Sequence, residues 1–547
     1  MRRLPGRAIA AAALFLVLAG RALAQDTPNP DPVSESIRER LEEWQTVGRL
    51  AVDGTPLVSS RALPRLYAGH ADRPYWNAES VTTLLGLLRD SAQDGLTPAD
   101  YHLEALGRLA APAGGSADPG TSANRDLLAT DAFTMLLRDL YLGKVDPQSL
   151  DPHWNFERRP LDEERAFAFI ADALSRGSLA EAVAAARPGY PWYARARASL
   201  AEYRAIAARG GWPSVPPGPA LKTGLRGPRV AAVRRRLAAT GELSGQSLDD
   251  DLYDEPLAEA VRAFQKGHRL TADGAVGAAT LAEMNVPIAA RILQIRVNLE
   301  RARWVLHEVS AADPAVLVDI AGFEVSYLRD GQPLWTARIQ VGKPYRQTPI
   351  FKSSIDHVVF NPTWTVPPTI LAKDILPAAR RDPAYLAAKK LDVLDRNGNP
   401  VDPSTIDWAH ATAKNFPYML RQEPGPDNAL GRAKIMFPNP HFVYLHDTPS
   451  RSLFEKDERA FSSGCIRVER PLELVERLLD DPQKWSAAAI AQAVADGTTR
   501  TVRLPKPVPV LLMYWTISPG DDGHTIFKRD PYGRDRRLAE ALDAPRK

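Results

Sequence analysis

The chain has a single cysteine among its 547 residues. No intramolecular disulfide can form, and no Cys-x-x-Cys pair exists for redox chemistry or zinc. His-Glu-x-x-His is missing too. His441 and His446, five positions apart, would fall on opposite faces of a strand. A metal site has little support, and no cofactor is expected. Walker-type and dinucleotide-type glycine loops are absent, as is the Gly-x-Ser-x-Gly elbow of a serine nucleophile. No charge of one sign dominates: 69 basic residues face 66 acidic ones, for a net charge of +3. The clusters Arg234–Arg236 and Arg534–Arg537 read as solvated helix faces or a tail, so no nucleic-acid partner is expected. Past residue 24 no apolar run approaches the roughly 20 residues of a membrane span.

What is present is ordinary globular composition, 44% hydrophobic and 25% charged. At this length three or four structural units are expected. The N-terminus opens with Arg2 and Arg3, continues with an apolar run from Ala8 to Leu18, and reaches the small-x-small triplet Ala22-Leu23-Ala24. That pattern is a secretory signal peptide over 1–24, with an uncleaved anchor as the alternative. The mature chain is then expected in the periplasm with no membrane span. In that compartment a lone cysteine is either buried and inert or a reactive thiol.

The pattern from 25 to 217 is helical. Val81, Leu84, Leu85 and Leu88 fall on one helix face, and 166–174 and 179–186 behave alike. Ala111–Ser122, rich in Gly, Ala, Ser and Pro, is expected to be a loop. Pro213–Pro219 is a stiff linker. Residues 218–287 form a small module of three short helices. Ile292–His307 is a further helix, expected to pack back on the N-terminal region, so that 288–310 completes the scaffold and the module is an insertion. From Ala315 the period becomes that of strands, with Asp330-Gly331 as a hairpin turn. The expected β domain spans 311–505, with a capping insertion at about 373–432 and a helix at Pro471–Leu479. A C-terminal strand and charged tail follow over 506–547. The fold class expected is α+β multidomain: helical scaffold, three-helix module and mainly-β catalytic domain.

Cys465 lies in Ser462-Ser463-Gly464-Cys465-Ile466-Arg467. Gly464 removes a side chain beside the sulfur, and Arg467 places a cation two residues away. A cation or helix N-terminus nearby favours the thiolate, which is the nucleophile. A thiol nucleophile needs a base, and His446, at the end of a predicted strand, is the best placed of ten histidines. In papain-like proteases the cysteine is N-terminal and precedes its histidine; here it is late and follows it.

Two resemblances add to this. Leu225-Arg226-Gly227, Val261-x-x-Phe264-Gln265-x-Gly267 and Gly274-x-Val276-Gly277-x-x-Thr280-Leu281 resemble the peptidoglycan-binding module of cell-wall enzymes. His446-Asp447-Thr448 with Ser463-Gly464-Cys465-Ile466-Arg467 resembles the signature of L,D-transpeptidase (YkuD-type) domains. Val341-Gly342-Lys343-Pro344, Thr348-Pro349 and Asn361-Pro362-x-Trp364-x-Val366-Pro367-Pro368 fit the same family. Leu63-Pro64-x-Leu66-Tyr67 and Asp94-Gly95-Leu96 resemble its large YcbB-like subgroup, which has an extra scaffold. The commoner family pattern has histidine where this chain has Ser463, which leaves His446 as the sole base.

The resemblance implies that Cys465 attacks the bond between the third and fourth residues of a tetrapeptide stem, and that D-alanine leaves. A neighbouring stem's amine would then resolve the thioester into a 3→3 cross-link. Carbapenems would be captured by the same thiol. Backbone N–H groups at Gly464 and Cys465 would stabilise the oxyanion. Arg467 would orient the site or a substrate carboxylate, or else form a structural ion pair. Tyr444, Trp364 and Ser463 are candidates for the substrate cleft, with core packing the competing role for Trp364 and Tyr444. The implied partners are peptidoglycan stems and glycan, with other cell-wall synthesis proteins in second place. An L,D-carboxypeptidase with water as acceptor, and a non-catalytic wall-binding scaffold, remain open alternatives.

Overall fold

The structure is a computed structural model, and it describes residues 31–59, 61–110, 118–382, 384–520 and 523–546. The expected signal peptide lies outside the described residues. So does most of the expected loop at 111–122, but its end is helical: Asp118 caps helix α1 (Pro119–Leu142) by accepting from the Thr121 N–H. An N-cap aspartate followed by proline at the first helical position is a strong start signal.

Helix α1 is buried nearly all round, with Leu127, Leu128, Phe133, Leu136 and Leu140 fully enclosed. It is the axis of the scaffold core, which gathers apolar side chains from residues 37–140 and 173–186. Two buried aspartates on α1 hold the preceding loops. Asp126 accepts from Tyr67 Oη at 2.6 Å and the Trp76 N–H at 2.9 Å, and Asp131 accepts from the Ser59 N–H at 2.7 Å. These bonds offset part of the cost of burial, which still pushes the Asp126 carboxyl up to about 6.

Helices α2 (Pro191–Ala208) and α3 (Ile288–Ala311) pack together, as the sequence suggested for the segment around 292–307. Their apolar faces do not complete the scaffold core. Tyr193, Leu200, Ile295, Leu299 and Val305 enter the core of the β domain instead. Helix α2, inside the expected scaffold, thus packs its apolar face on the core of the β domain. The Asp94-Gly95-Leu96 motif sits at this junction. Asp94 is fully buried, pairs with Arg187 at 2.9 Å and accepts from Tyr193 Oη at 3.1 Å. Gly95 has φ +78°, and its missing Cβ lets the Arg296 backbone approach.

The inserted module has helices at Pro228–Ala239, Glu255–Gly267 and Ala278–Met284 around Val230, Val233, Leu257, Val261 and Phe264. Its two ends are clasped: Asn285 accepts from the Val215 N–H at 2.8 Å and donates back to the Val215 carbonyl at 2.9 Å. Arg269–Glu324 (3.1 Å) and Thr271–Asp457 (2.9 Å) tie it to the β domain.

The β domain is built on nine strands: β1 (Ala315–Asp319), β2 (Glu324–Arg329), β3 (Gln332–Gly342), β4 (Phe351–Phe360), β5 (Ala433–Met436), β6 (Leu445–His446), β7 (Ala460–Ser462), β8 (Ile466–Val468) and β9 (Arg500–Met513). Their order is β7-β3-β8-β6-β5-β4-β9-β1-β2, and pairing of β2 with β3 closes the ring. Asp330 and Gly331 both have positive φ in the β2–β3 turn, as a tight hairpin requires. Most pairs are antiparallel, but β6–β8, β7–β3 and β9–β1 run parallel.

The capping insertion starts earlier than 373. Its three-stranded sheet uses Trp364–Thr365, Asp392–Leu394 and Met419–Gln422 around a separate core of Val366, Ile375, Leu391, Val393 and Leu420. The C-terminus is also corrected. β9 is a central strand between β4 and β1, and the charged tail contains helix α4 (Arg534–Asp543), whose Leu538, Ala539 and Leu542 enter the main core. Among the described residues no helix is long and apolar enough to cross a membrane.

Candidate active site

Cys465 occupies the turn between β7 and β8, half-buried. The turn is braced from inside. Ser462 Oγ accepts from the Gly464 N–H at 3.0 Å and donates to the Cys465 carbonyl at 2.6 Å. Thr348 Oγ1 donates to the Gly464 carbonyl at 2.8 Å and accepts from the Gly342 N–H at 2.9 Å. Gly464 has φ +122°, where only glycine is unstrained. Gly342 is required for another reason: a Cβ there would stand 2.0 Å from the Arg346 carbonyl. The motifs Val341-Gly342-Lys343-Pro344 and Thr348-Pro349 therefore form the backing of the cysteine turn.

Strand register places the chemistry on one face. Leu445 pairs with Ile466, and His446 with Arg467, on the parallel strands β6 and β8. Leu445 and Ile466 point into the core and are fully buried. By alternation Tyr444, His446, Cys465 and Arg467 share the opposite face. Lys434 on β5 pairs with His446, and Gln340 on β3 pairs with Arg467. A row Gln340–Arg467–His446–Lys434 thus crosses four strands beneath the cysteine. Arg467 Nη1 donates to Gln340 Oε1 at 3.2 Å, and Lys434 Nζ stands 4.0 Å from the Tyr444 ring centroid. Tyr444 and His446 meet edge to face at 5.6 Å. Cys465 Sγ lies 3.7 Å from the Phe442 carbonyl, within reach of a weak S–H hydrogen bond.

The electrostatics follow from this row. Burial pushes the Cys465 thiol up, while the Tyr444 N–H and hydroxyl, Lys434 and Arg467 all pull toward the thiolate. His446 is pushed down to about 3, first by burial and then by the Arg467 charge, with Lys434 adding to it. The imidazole is therefore neutral at physiological pH. Its Nδ1 is 2.5 Å from the Asp447 carbonyl, an acceptor only, so Nδ1 carries the proton of the neutral ring. The Leu430 carbonyl acts on the ring in the same direction as the Asp447 carbonyl, against the effect of burial. Asp447 does not face the imidazole; its carboxylate accepts from the Arg432 N–H at 3.0 Å and from Arg432 Nε at 2.7 Å. Gly431, with φ +60°, makes room for it, since a Cβ there would lie 2.5 Å from Asp447 Cβ.

Of the residues singled out from sequence, Cys465, His446, Tyr444 and Arg467 come together. Ser463 is exposed on the turn, and its Oγ accepts from Arg346 Nη1 at 2.8 Å. The Gly464 N–H is committed to Ser462 Oγ, so the expectation that it serves as a free oxyanion donor is corrected. Trp364 packs against the core of the cap, the competing role already weighed for it. His441 is elsewhere, against His153 and Phe351. Sequence reasoning missed Lys434 and Arg346, and it named Thr348 within a family motif without a role at the cysteine turn. The alternation Ala433-Lys434-Ile435-Met436, buried at the first and third positions, was the available signal for Lys434. Arg346 bridges the cysteine turn to the cap, reaching Asp374 at 2.5 and 3.2 Å as well as Ser463.

The fold and this cluster define a multidomain α+β protein whose β domain sets one thiol and one buried neutral imidazole on the same face of adjacent strands. Residues 313–510 match the family model described as L,D-transpeptidase catalytic domain, residues 61–200 the model described as Scaffold domain, and residues 226–284 that described as "Putative peptidoglycan binding domain". The chain carries a catalytic domain of the L,D-transpeptidase family, joined to a scaffold domain and a peptidoglycan-binding domain. A curated relative from Haemophilus influenzae, named "Putative L,D-transpeptidase", is 37% identical over 223 residues, which are 41% of this chain and 45% of that protein. The chain thus spans less than half the length of that relative. A solved L,D-transpeptidase from Xylanimonas cellulosilytica is 15% identical, covers 55% of this chain and 99% of its own, and has a TM-score of 0.18. One from Stackebrandtia nassauensis is 12% identical, covers 55% and 96%, and has a TM-score of 0.20.

Proposed function

We propose that the chain is an exported peptidoglycan L,D-transpeptidase working through a thioester on Cys465. The observation that carries this reading is the one-face placement of Cys465, Tyr444, His446 and Arg467 within an L,D-transpeptidase domain. His446 Nε2 takes the thiol proton as sulfur attacks the carbonyl carbon between the third and fourth stem residues. The C–N bond breaks, and the imidazolium returns the proton to the departing D-alanine amine. The amine of a neighbouring stem's diamino acid then attacks the thioester, forms the new amide and releases the thiol, leaving a 3→3 cross-link. Arg467 and Lys434 supply fixed positive charge beside the developing negative charge.

The peptidoglycan-binding domain supports the sacculus as the working surface, which agrees with the signal peptide read at 1–24. If water resolves the thioester instead, the product is a trimmed tripeptide stem. Incubation with purified tetrapeptide muropeptides, followed by mass spectrometry, separates the two: cross-linked dimers are expected, and tripeptide monomers alone would establish the carboxypeptidase.

A further inference from the structure

Lys434 and Arg467 flank the cysteine from two different strands, and both are half-buried. Among the described residues neither is paired with a carboxylate. The charges that act on them come from Cys465 alone. Arg467 spends Nη1 on the neutral Gln340 amide, and its Nε is buried with no hydrogen-bond partner. Lys434 has the Tyr444 ring as its neighbour in place of an anion. The other acidic group close by, Asp447, is taken up by Arg432 and Arg451. A cation withdrawn from water without a carboxylate partner is costly, and a bound anion would offset that cost.

We propose that Lys434, with Arg467, is the receptor for a substrate carboxylate, namely the free carboxylate on the leaving residue of the stem peptide. This rests on the function proposed above. In that reaction the carboxylate is separated from the leaving nitrogen by one carbon, so it must lie within a few ångströms of the attacked carbonyl. Lys434 is two strands from Cys465, roughly 10 Å between backbones, a span its long side chain covers by reaching to the Tyr444 ring. An ammonium there acts as a point charge and an Arg467 guanidinium as a directional fork, together selecting for an anion. A bound carboxylate also offsets the charges that hold His446 non-basic, so the substrate itself would raise the proton affinity of its base.

The chain's single thiol permits a test that needs no cell-wall activity. Alkylation of Cys465 by the anion iodoacetate and by neutral iodoacetamide is followed by intact mass in the full chain. Lys434→Gln is expected to lower the iodoacetate-to-iodoacetamide rate ratio about threefold or more, and Lys434→Arg to keep it near the native value. The iodoacetamide rate carries any change in thiolate fraction caused by the loss of the Lys434 charge, and the ratio cancels it. In parallel, native enzyme should prefer a tetrapeptide muropeptide with a free terminal carboxylate over the same peptide with a terminal amide by at least about tenfold in kcat/KM, and Lys434→Gln should erase most of that preference. An unchanged alkylation ratio in Lys434→Gln overturns the carboxylate site. A ratio that falls while neither peptide is turned over supports the anion site and overturns the transpeptidase reading.

Discussion

His446 and Arg467 stand opposite each other on adjacent parallel strands, so the imidazole of the site is buried beside a guanidinium. Burial and that charge act in the same direction, which is why the ring is pushed down to about 3. The unfolded chain has no such constraint, and its histidine titrates near 6.5.

The sign of the pH dependence follows. Between about 6.5 and 3 the unfolded state binds a proton at position 446 that the folded state refuses, so stability is full above this window and falls as pH is lowered through it. For this one group the slope approaches about 1.4 kcal/mol per pH unit. Denaturant unfolding of native protein and His446→Gln across that range should show the variant shallower by close to one proton; parallel slopes would contradict the assignment.

Arg467 has the converse effect on the thiol. Burial raises Cys465, and Arg467 opposes that rise. Arg467→Gln should therefore move the alkylation pH profile further alkaline, while Arg467→Lys should move it less. Reaction with iodoacetamide from pH 6 to 11 measures this, and a profile shifted toward acid in Arg467→Gln would refute the electrostatic reading of the row.

Gly342 is where backbone approaches backbone. An alanine Cβ would meet the Arg346 carbonyl at 2.0 Å and the Thr348 N–H nitrogen at 2.8 Å, and neither can swing aside as a side-chain tip could. Gly342→Ala should cost about 2 kcal/mol or more. Because Thr348 also holds the Gly464 carbonyl, the cysteine turn should loosen with it. A denaturant midpoint equal to that of native protein would show that the loop has slack not seen here.

The clasp between Val215 and Asn285 brings the two ends of the inserted module together, so residues 216–284 can be replaced by a short Gly-Ser bridge. The shortened protein should keep an alkylatable Cys465 and lose much of its pelleting with purified sacculi. Undiminished pelleting would remove the wall-binding role from the module.

Much of this was legible in the sequence because it is local. Cys465, Gly464 and Arg467 are contiguous, His446 ends a strand, and the hairpin at Asp330-Gly331 announces itself by residue type. What was illegible depends on register between short strands. Lys434 reaches the site only because a four-residue strand pairs it with His446, and nothing in Ala433–Met436 states its partner. Residues 191–208 read as one more scaffold helix because an apolar face does not name the core it joins. The C-terminal helix was hidden for a different reason: six of its ten residues are acidic or arginine, and the short stripe of Leu538, Ala539 and Leu542 is diluted by them.

The central claim is that Cys465 carries the acyl group. Native protein mixed with a tetrapeptide muropeptide, quenched in acid and measured by intact mass should show a tripeptide stem adduct on the Cys465 peptide, with release of D-alanine. Cys465→Ala should show neither, and it should also fail to form the covalent carbapenem adduct expected of the native chain. Release of D-alanine or cross-linking by Cys465→Ala at the native rate would contradict the account.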